Sequence, residues 1–384
     1  MHSEFCDLLL SFTRLALIFF IILFVLRFWC RTHTFLPLPP GPFSIPLLGF
    51  LPFVGKDFHL TLTELAKSYG SVYQIFLGSR RVVIINDFRL VREAFRKPIF
   101  SGRPDTEVTK ILQGYGIVHS DGDLWNEQRT FLHKVLRQIG VKQIMQNNNA
   151  IEHKINIQVK EFLNSLETFE RKSCRIRPFI ACAVSNVIGS LLISLTLKNE
   201  EDENFRKLLE LIDEGFKHVT VAMPVNFIPI LRYIPIVNSA VQKIKQNREQ
   251  TGEYFKNLVE NHRKTLDPSN LRDICDAYLV QQEKVQNNGK KSYFSEEQLI
   301  QIMNDMFSAG METVTSTLEW AILFLMLNPE AQKNIQKEID NIVGNDRLPT
   351  LADMANMPYT EATIYEVLRR SNVIALGIAH LTLQ

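Results

Sequence analysis

The stretch SEEQLIQIMNDMFSAGMETVTSTLEWAILFLMLNP, residues 295–329, decides the fold class of this chain. Ser295 followed three residues later by Gln298 has the pattern of a helix-capping box, and the Asn328-Pro329 pair is a stop signal. The stretch therefore predicts one uninterrupted helix over residues 295–327, about 50 Å long at a rise of about 1.5 Å per residue. A helix of that length crosses a whole domain, and we expect the rest of the fold to pack around it.

The last third of this predicted helix is apolar on nearly every side. A single apolar stripe is typical of a surface helix, whereas a helix that is apolar all round is typical of a core. We therefore expect burial of the residues that make up this segment, namely Leu318, Trp320, Ile322, Leu323, Phe324, Leu325, Met326 and Leu327.

The pentad Ala309-Gly310-Met311-Glu312-Thr313 brings a glycine, a carboxylate and a hydroxyl into the apolar pattern. Glycine costs a helix about 1 kcal/mol relative to alanine, but its missing side chain lets a flat ligand or another backbone come close. A purely structural explanation is equally open, in which the threonine hydroxyl bonds the carbonyl four residues back and the glutamate is paired. The pentad alone does not decide between a site and a structural feature.

The composition is that of a globular protein, with 384 residues, 46% hydrophobic and 22% charged, and a formal net charge of +2. A charge this close to balance gives no reason to expect a nucleic-acid partner. An odd number of cysteines without metal-ligand spacing fits reduced thiols in a cytosol-facing protein better than a disulfide framework. The five cysteines are Cys6, Cys30, Cys174, Cys182 and Cys275.

The N-terminal segment from Leu8 to Trp29 is almost wholly apolar and has the length of a membrane span. A cleaved signal peptide, the alternative, needs basic residues before the apolar core and small residues at a cleavage site after it. Here acidic residues precede the segment, and Arg27 and Arg31 follow it. We predict an uncleaved anchor over residues 1–31, with the body of the protein on the cytosolic side of the membrane.

A small β-region precedes a long helical one. The proline-rich connector Leu36–Pro42 is expected to be extended. Two β patterns, Val72–Leu77 and Val82–Ile85, are separated by Gly78-Ser79-Arg80-Arg81 and predict a hairpin. From Phe88 onward the periodicity is helical. The predicted fold class is therefore mainly α with a small β-sheet, preceded by one N-terminal transmembrane helix.

Four motifs together make the chain resemble a microsomal cytochrome P-450, a haem-thiolate monooxygenase. One of them alone is weak, since Glu-x-x-Arg usually marks an ordinary ion pair one helical turn apart. All four occur in the family's order, and the resemblance runs from the N-terminal segment to the last residue. The motifs are the prolines from Pro39 to Pro42, Trp125-Asn126-Glu127-Gln128-Arg129, the Ala309–Thr313 pentad and Glu366-Val367-Leu368-Arg369.

The resemblance implies the cytochrome P-450 fold and a division into three parts. These are a membrane anchor at residues 1–31, a proline-rich hinge at 32–44 and a catalytic domain at 45–384. It also implies an endoplasmic reticulum location with the catalytic domain facing the cytosol. From Met306 to His380 the chain looks most like arthropod members of the microsomal clan that includes ecdysteroid hydroxylases.

The cofactor implied by the resemblance is haem b, whose two propionates need cationic partners when the haem is buried. Arginine forms forked hydrogen bonds with carboxylates. Trp125 and Arg129 lie four residues apart on one helical face, so the indole N–H and the guanidinium can reach the same propionate. The resemblance adds Arg103 and His380 as propionate partners, and Ala309 and Gly310 as residues against the haem.

The resemblance also implies roles for the remaining motif residues. Thr313 is similar to the threonine that orders the water delivering protons during oxygen activation, and Glu312 to its acidic neighbour in the proton relay. Glu366 and Arg369 are similar to the ion pair that organises the haem-proximal side. Splitting the O–O bond further requires a cysteine thiolate as the proximal ligand.

No cysteine in this chain has the position or the glycine-rich surroundings of that ligand, so no metal ligand is assigned. We expect the chain to be a monooxygenase that stops before its haem-ligating loop. The alternative from another class is a non-catalytic, membrane-anchored helical protein that binds a lipid or a partner.

The predicted substrate pocket is mainly apolar, which favours a lipophilic substrate such as a steroid, fatty acid or foreign compound. The resemblance supplies the electron donor, NADPH-cytochrome P-450 reductase, with cytochrome b5 as a second partner. Membrane lipid is expected to contact the anchor. The apolar loop from Met223 to Ile236 either dips into the bilayer or packs in the core, and the sequence favours neither. The predicted pocket residues are Val118, His119, Ile374 and Ile378.

Overall fold

The computed structural model describes residues 14–22, 24, 38–55, 57–138, 150–170, 172–195, 203–289 and 291–383. This part of the chain is mainly helical with one two-stranded sheet, which confirms the predicted fold class apart from its membrane helix. The α-helices are α1 (Phe58–Tyr69), α2 (Phe88–Ala94), α3 (Glu107–Ile111), α4 (Gly122–Leu136), α5 (Ala150–Glu167), α6 (Arg177–Leu192), α7 (Glu203–Ala222), α8 (Pro235–Lys264), α9 (Ile274–Asn287), α10 (Glu296–Leu327), α11 (Pro329–Ile342) and α12 (Pro358–Ser371).

The predicted membrane anchor is described only in part. Residues 14–22 are helical, and the other residues of the 1–31 segment lie outside the described ranges, apart from residue 24. Within those ranges, no helix combines the length and the apolar character that crossing a membrane requires. Residues 38–44, the described part of the proline-rich connector, contain no helix.

The sheet is an antiparallel hairpin of β1 (Val72–Leu77) and β2 (Arg80–Ile85), in which Leu77 pairs with Arg80. The second strand begins two residues before its predicted start, because the turn is the two-residue Gly78-Ser79 rather than a four-residue loop. Gly78 has a φ of 59°, a left-handed conformation that glycine adopts without strain.

The described residues fall into two compact units. The first comprises residues 1–100, 223–237 and 383–384, and its small core contains Leu62, Tyr73, Ile75 and Leu77 beneath the sheet. The second comprises residues 101–222 and 238–382 and contains every predicted site residue. Its core is a cluster of aromatic and aliphatic side chains that includes Phe205, Phe255, Tyr278, Leu299, Ile302, Met303 and Phe307.

Helix α10 is the long helix predicted from residues 295–329. Ser295 is its N-cap, and the Ser295 Oγ accepts a hydrogen bond from the Gln298 backbone N–H at 3.1 Å. The helix ends at Leu327, before Asn328-Pro329. Both predicted boundaries are confirmed to within one residue.

The predicted burial of the last third of α10 is wrong. None of the eight apolar residues from Leu318 to Leu327 is buried, and Met326 and Leu327 are each more than two-thirds exposed. Helices α6, α11 and α12 contact α10, but the described residues leave this segment uncovered on one side. The apolar pattern therefore identified an apolar surface, but it did not show which part of the chain packs against it.

Candidate functional site

Trp125 and Arg129 lie on one face of α4, as their spacing predicts. The Arg129 guanidinium carbon lies 5.1 Å from the centroid of the Trp125 ring, within the range of a cation–π contact. Trp125 is half-buried and Arg129 is exposed, and no ion pair of Arg129 with a described residue is present. This pair lines an open depression whose other basic residues are His133, Lys134 and Arg137.

Arg103 and His380 are far apart in sequence but in direct contact. The Arg103 Nη1 lies 3.0 Å from the His380 Nδ1, and the Arg103 Nε donates to the Val118 carbonyl oxygen at 2.9 Å. Because a guanidinium can only donate, the Nδ1 of His380 accepts and the ring proton lies on Nε2. An isolated bridge between Gly102 and Leu381 aligns the two backbones beside this contact.

Positive charge gathers around Arg103. Burial lowers the pKa of Arg103, the charge of Arg129 lowers it further, and Asp121 opposes both effects. Arg103 thus lies within hydrogen-bond range of His380 and within electrostatic range of Arg129, and Trp125 stacks on Arg129. A guanidinium whose pKa is depressed by a second guanidinium is stabilised by an added carboxylate. The donor set therefore fits a ligand that carries carboxylate groups, and haem is such a ligand.

The polar residues of the Ala309–Thr313 pentad on α10 each have their own hydrogen-bond partners. The Thr313 hydroxyl donates to the Ala309 carbonyl oxygen at 2.8 Å, which is the back-bonding considered from the sequence. Both oxygens of Glu312 accept from the Arg177 Nη2, at 2.6 and 2.7 Å, and Ser316 donates to Glu312 Oε1 at 3.1 Å. The structure therefore pairs Glu312 with α6 and does not bring its carboxylate to Thr313.

Gly310 lies where α10 crosses α6. A Cβ at this position would lie 2.7 Å from the Cδ1 of Ile188, which is closer than real Cβ contacts. The missing side chain thus lets the two helices approach. Ala309, one residue earlier, is exposed. The cofactor-binding roles of Ala309 and Gly310 stay predictions.

Glu366 and Arg369 form a two-fold ion pair on α12. The Arg369 Nε lies 2.6 Å from Glu366 Oε2, and Nη2 lies 2.5 Å from Oε1. Both side chains are more than half exposed, so the pair by itself contributes little to stability. Its role in organising the haem-proximal side stays a prediction.

The predicted pocket residues lie on two segments that meet at Arg103. Val118 and His119 are half-buried in the loop between α3 and α4, while Ile374 and Ile378 are exposed in the segment that leads to His380. Burial lowers the pKa of the His119 imidazole, and Arg103 lowers it further against the opposing charge of Asp305. Burial therefore favours the neutral form of the His119 imidazole.

Sequence reasoning missed Asp305, Gln298 and Arg177. Asp305 accepts hydrogen bonds from the backbone N–H groups of Ile117 and Val118, and Gln298 bonds the backbone of Gly116. The signal was present, because Gln298, Asp305 and Glu312 follow each other at intervals of seven residues and so share one face of a helix. Arg177 gave no comparable signal.

A second polar cluster lies at the start of α9, where His262, Asp273 and Asp276 come close enough to be considered as metal ligands. Arg272 donates to both carboxylate oxygens of Asp276, at 2.7 and 2.8 Å. Asp273 accepts from Ser194 at 2.6 Å and lies 2.7 Å from the His262 Nε2. With these oxygens already bonded, the cluster is a buried network that fixes the start of α9.

Cys275 lies beside this network and is fully buried. Burial raises the pKa of its thiol, and the charges of Asp273 and Asp276 raise it further. A metal ligand must be a thiolate, so this environment is opposite to the one a ligating cysteine needs.

Comparison with known proteins places this geometry in a family. The family model for cytochrome P450 matches residues 39–384. The chain is 39% identical over 348 residues to cytochrome P450 18a1 of Drosophila melanogaster, covering 89% of this chain and 64% of that protein. It is 34% identical over 383 residues to cytochrome P450 2U1 of Mus musculus, covering 92% of this chain and 70% of that protein. On the match to the family model and these identities, the chain belongs to the cytochrome P450 family.

Proposed function

We propose that the protein is a haem-dependent monooxygenase that inserts one oxygen atom from O2 into a lipophilic substrate. The observation that carries this proposal beyond family membership is the gathering of Arg103, His380, Arg129 and Trp125, a donor set suited to two carboxylates. When bound, haem supplies the activation of O2 that no amino-acid side chain can provide.

The side chains around this donor set have separable tasks. Arg103 with His380 and Arg129 with Trp125 would hold the propionates of a bound haem and so orient it. Thr313 already donates its proton to the Ala309 carbonyl oxygen, so its hydroxyl oxygen is left to accept a hydrogen bond from water. Glu312 can take part in proton delivery only after leaving its two bonds with Arg177.

A lipophilic substrate follows from the residues proposed for the pocket. Val118, Ile374 and Ile378 are aliphatic, and His119 adds one polar group. A steroid, a fatty acid or a foreign compound with one hydroxyl or carbonyl group suits such a wall, because an apolar body fills it while one hydrogen bond sets the orientation.

The protein is proposed to be anchored in the endoplasmic reticulum membrane by residues 1–31, with a hinge at 32–44 and a cytosolic catalytic domain at 45–384. The first compact unit supports contact with lipid, because large apolar side chains are exposed on it. Tyr and Ile side chains at a membrane interface bury their apolar surface among the lipid headgroups. These residues include Phe43, Leu47, Ile230, Tyr233 and Ile236.

Electrons are proposed to come from NADPH through cytochrome P450 reductase, with cytochrome b5 as a second donor. Helix α4 exposes His133, Lys134 and Arg137 beside Trp125 and Arg129. A basic surface of this kind attracts an acidic partner and speeds its association at low ionic strength.

The proposal is tested in two steps, beginning with haem. Titrating the full chain with hemin should shift the Soret band and saturate at one haem per chain. Arg103→Ala and Arg129→Ala should each weaken binding about tenfold, because each removes a charge-assisted hydrogen bond. The control is Arg89→Ala, since Arg89 is also exposed and stacks on Phe88 at 5.5 Å but lies outside the donor set.

The second step tests the reaction. The chain is extended past residue 384 by a glycine-rich loop with the ligating cysteine that O–O splitting requires. It is then loaded with haem and given reductase, NADPH, isotopically labelled dioxygen and either lauric acid or progesterone. One labelled oxygen atom in the product supports the proposal. Equal haem affinity in the Arg89 and Arg129 variants would show that the donor set does not bind haem. Binding of haem without labelled product would refute the proposed monooxygenase activity.

A further inference from the structure

Helix α10 holds the loop segment Gly116–His119 by direct hydrogen bonds. The Asp305 Oδ2 accepts from the backbone N–H of Ile117 at 2.8 Å and from that of Val118 at 3.1 Å. One turn earlier in the helix, Gln301 donates to the other oxygen of Asp305 at 2.8 Å. Three donors therefore orient this carboxylate.

Gln298 completes the attachment. Its amide nitrogen donates to the Gly116 carbonyl oxygen at 2.8 Å, and its amide oxygen accepts from the Gly116 N–H at 3.0 Å. Gly116 has a φ of 91°, and a Cβ there would overlap the Asp305 carboxylate. The segment can lie this close to α10 only because residue 116 has no side chain.

The same loop is held at its other end by α8. Arg248 donates to the carbonyl oxygens of Ile111 and Leu112, the latter at 3.3 Å. The Arg103 backbone N–H donates to Asp121 at 3.0 Å and so closes the loop upon itself. The loop that carries Val118 and His119 is thus fixed by both long helices, and Arg103, which precedes α3, is bonded to its far end.

The charges around Asp305 come from three elements. His119 on the loop, Arg248 on α8 and the Arg103 side chain, which bonds the Val118 carbonyl, all carry or can carry positive charge near it. Asp305 is only partly exposed, and both of its carboxylate oxygens accept hydrogen bonds from protein groups. Its carboxylate is therefore placed to act on the loop by hydrogen bonds and not on a ligand directly.

We propose that Asp305 is a positioning residue, which fixes the Gly116–His119 segment on α10 and thereby sets where Val118 and His119 meet a substrate. This inference rests on the proposed function, because it assumes that these two residues line the substrate pocket. Through the bond from Arg103 to the Val118 carbonyl, the same contact also holds Arg103 in place for an anionic group.

The test begins with hydrogen exchange, which needs no activity. In the full chain, Asp305→Ala should speed exchange of the Ile117 and Val118 amides about tenfold, because both lose their acceptor. Asp305→Asn keeps a carbonyl oxygen at the same place and should leave exchange within about threefold of the natural chain. Glu297→Ala, an exposed acid on the same helix, should change nothing.

Two results overturn the first part of the proposal. One is unchanged exchange in Asp305→Ala. The other is equal acceleration in Asp305→Asn and Asp305→Ala, which would make charge the cause instead of the acceptor. Asp305→Asn also guards against a misfolded alanine variant, because its side chain has nearly the same size and shape.

The second arm measures catalysis with lauric acid and progesterone as probes, in the haem-loaded protein extended by the cysteine-bearing loop described above. Asp305→Ala should change KM for the two probes unequally, by about fivefold in their ratio, with kcat nearly constant, since it shifts the pocket wall and not the reacting atoms. Faster exchange with an unchanged KM ratio overturns the link to the pocket. If the natural protein forms no product, the proposed function fails, while the exchange result still decides whether Asp305 holds the segment.

Discussion

The two halves of helix α10 have similar apolar content and opposite environments. In the first half, Leu299, Ile302 and Phe307 have no exposed surface and pack in the core of the second unit. In the second half, Leu318 is 42% exposed, Trp320 41% and Met326 71%. A single continuous helix thus passes from the core to the surface along its length.

The difference shows that an apolar pattern predicts a need for burial and not the element that provides it. Polar residues with a partner from a neighbouring element recur at intervals of seven along the helix, at Gln298, Asp305, Glu312 and Glu319. After Glu319 the second half has no polar residue. Polar side chains with defined partners are therefore the better indicator of which face has a neighbour.

The largest expected effect comes from the same truncation in both halves. Leu299→Ala should lower the free energy of unfolding by about 3 kcal/mol, since it leaves a cavity in a closed core. Leu318→Ala should cost less than about 1 kcal/mol, because a large part of its side chain already contacts solvent. Urea unfolding followed by circular dichroism measures both. Equal costs would mean that the second half is covered in solution.

The crossing of α10 and α6 at Gly310 offers a sharper test at the boundary between the halves. Gly310→Ala should cost about 1 kcal/mol, as overlap with Ile188 outweighs the better helix propensity of alanine. Ile188→Val removes the Cδ1 atom and leaves the nearest neighbour at 3.6 Å. In that background Gly310→Ala should be neutral or stabilising, a change of about 1 to 2 kcal/mol in a double-mutant cycle. Additive effects would refute the contact.

Cys275 reports on the core that covers the first half. Burial raises the pKa of its thiol, so the folded protein keeps a proton that the unfolded chain releases above about pH 9. The stabilising contribution is complete below that pH and is lost as the pH rises. Between pH 9 and 10, the free energy of unfolding should fall more steeply in the natural chain than in Cys275→Ala, by up to about 1.4 kcal/mol per pH unit.

Thiol labelling is the matching control. Cys174 is exposed and should react with a thiol reagent at pH 8, whereas Cys275 should react only after unfolding. Rapid labelling of both would show that the core opens readily around α9.

The smallest expected effect is on the ion pairs between α6 and the second half of α10. Arg177→Ala should lower the free energy of unfolding by roughly 0.5 to 1 kcal/mol, since Arg177, Glu312 and Glu319 are all partly exposed. The loss should shrink at high salt. Lys217→Ala, which breaks a more exposed pair with Asp213, serves as the comparison and should cost less. Equal losses of unfolding free energy in the two variants would show that the ion pairs of Arg177 stabilise the protein no more than an ordinary surface pair.

Local patterns predicted the elements of this fold better than their surroundings. The ends of α10 followed from Ser295 and from Asn328-Pro329, because caps and stops are decided within a few residues. The hairpin was also predicted, although Arg80 and Arg81 were assigned to its turn. They belong to the second strand, where they pair with Leu77 and Phe76, and such pairing depends on the partner strand and not on the local sequence. Burial of Leu318 to Leu327 could not be predicted, because burial depends on neighbours from other parts of the chain.

In the candidate site too, local contacts were predicted from the sequence, and contacts between distant residues were not. The spacing of Trp125 and Arg129 predicted their contact, since four residues make one helical turn. The contact of Arg103 with His380 was suggested only by family resemblance, because no periodicity joins residues so far apart in sequence. Arg177 was missed because an arginine at the start of a helix gives no sign of its partner. Asp305 was missed although its position, seven residues after Gln298, was visible.

The close approach of Gly116 to Asp305 has a consequence for how this sequence can change over time. A side chain at position 116 would displace the carboxylate, while loss of the carboxylate would remove the closest contact at position 116, where a φ of 91° still favours glycine. The two positions, 189 residues apart, are therefore expected to vary together among relatives, with glycine accompanying the acid and larger residues appearing only where the acid is gone. Substitution in either order passes through a mismatched intermediate, so drift at this pair should be slow.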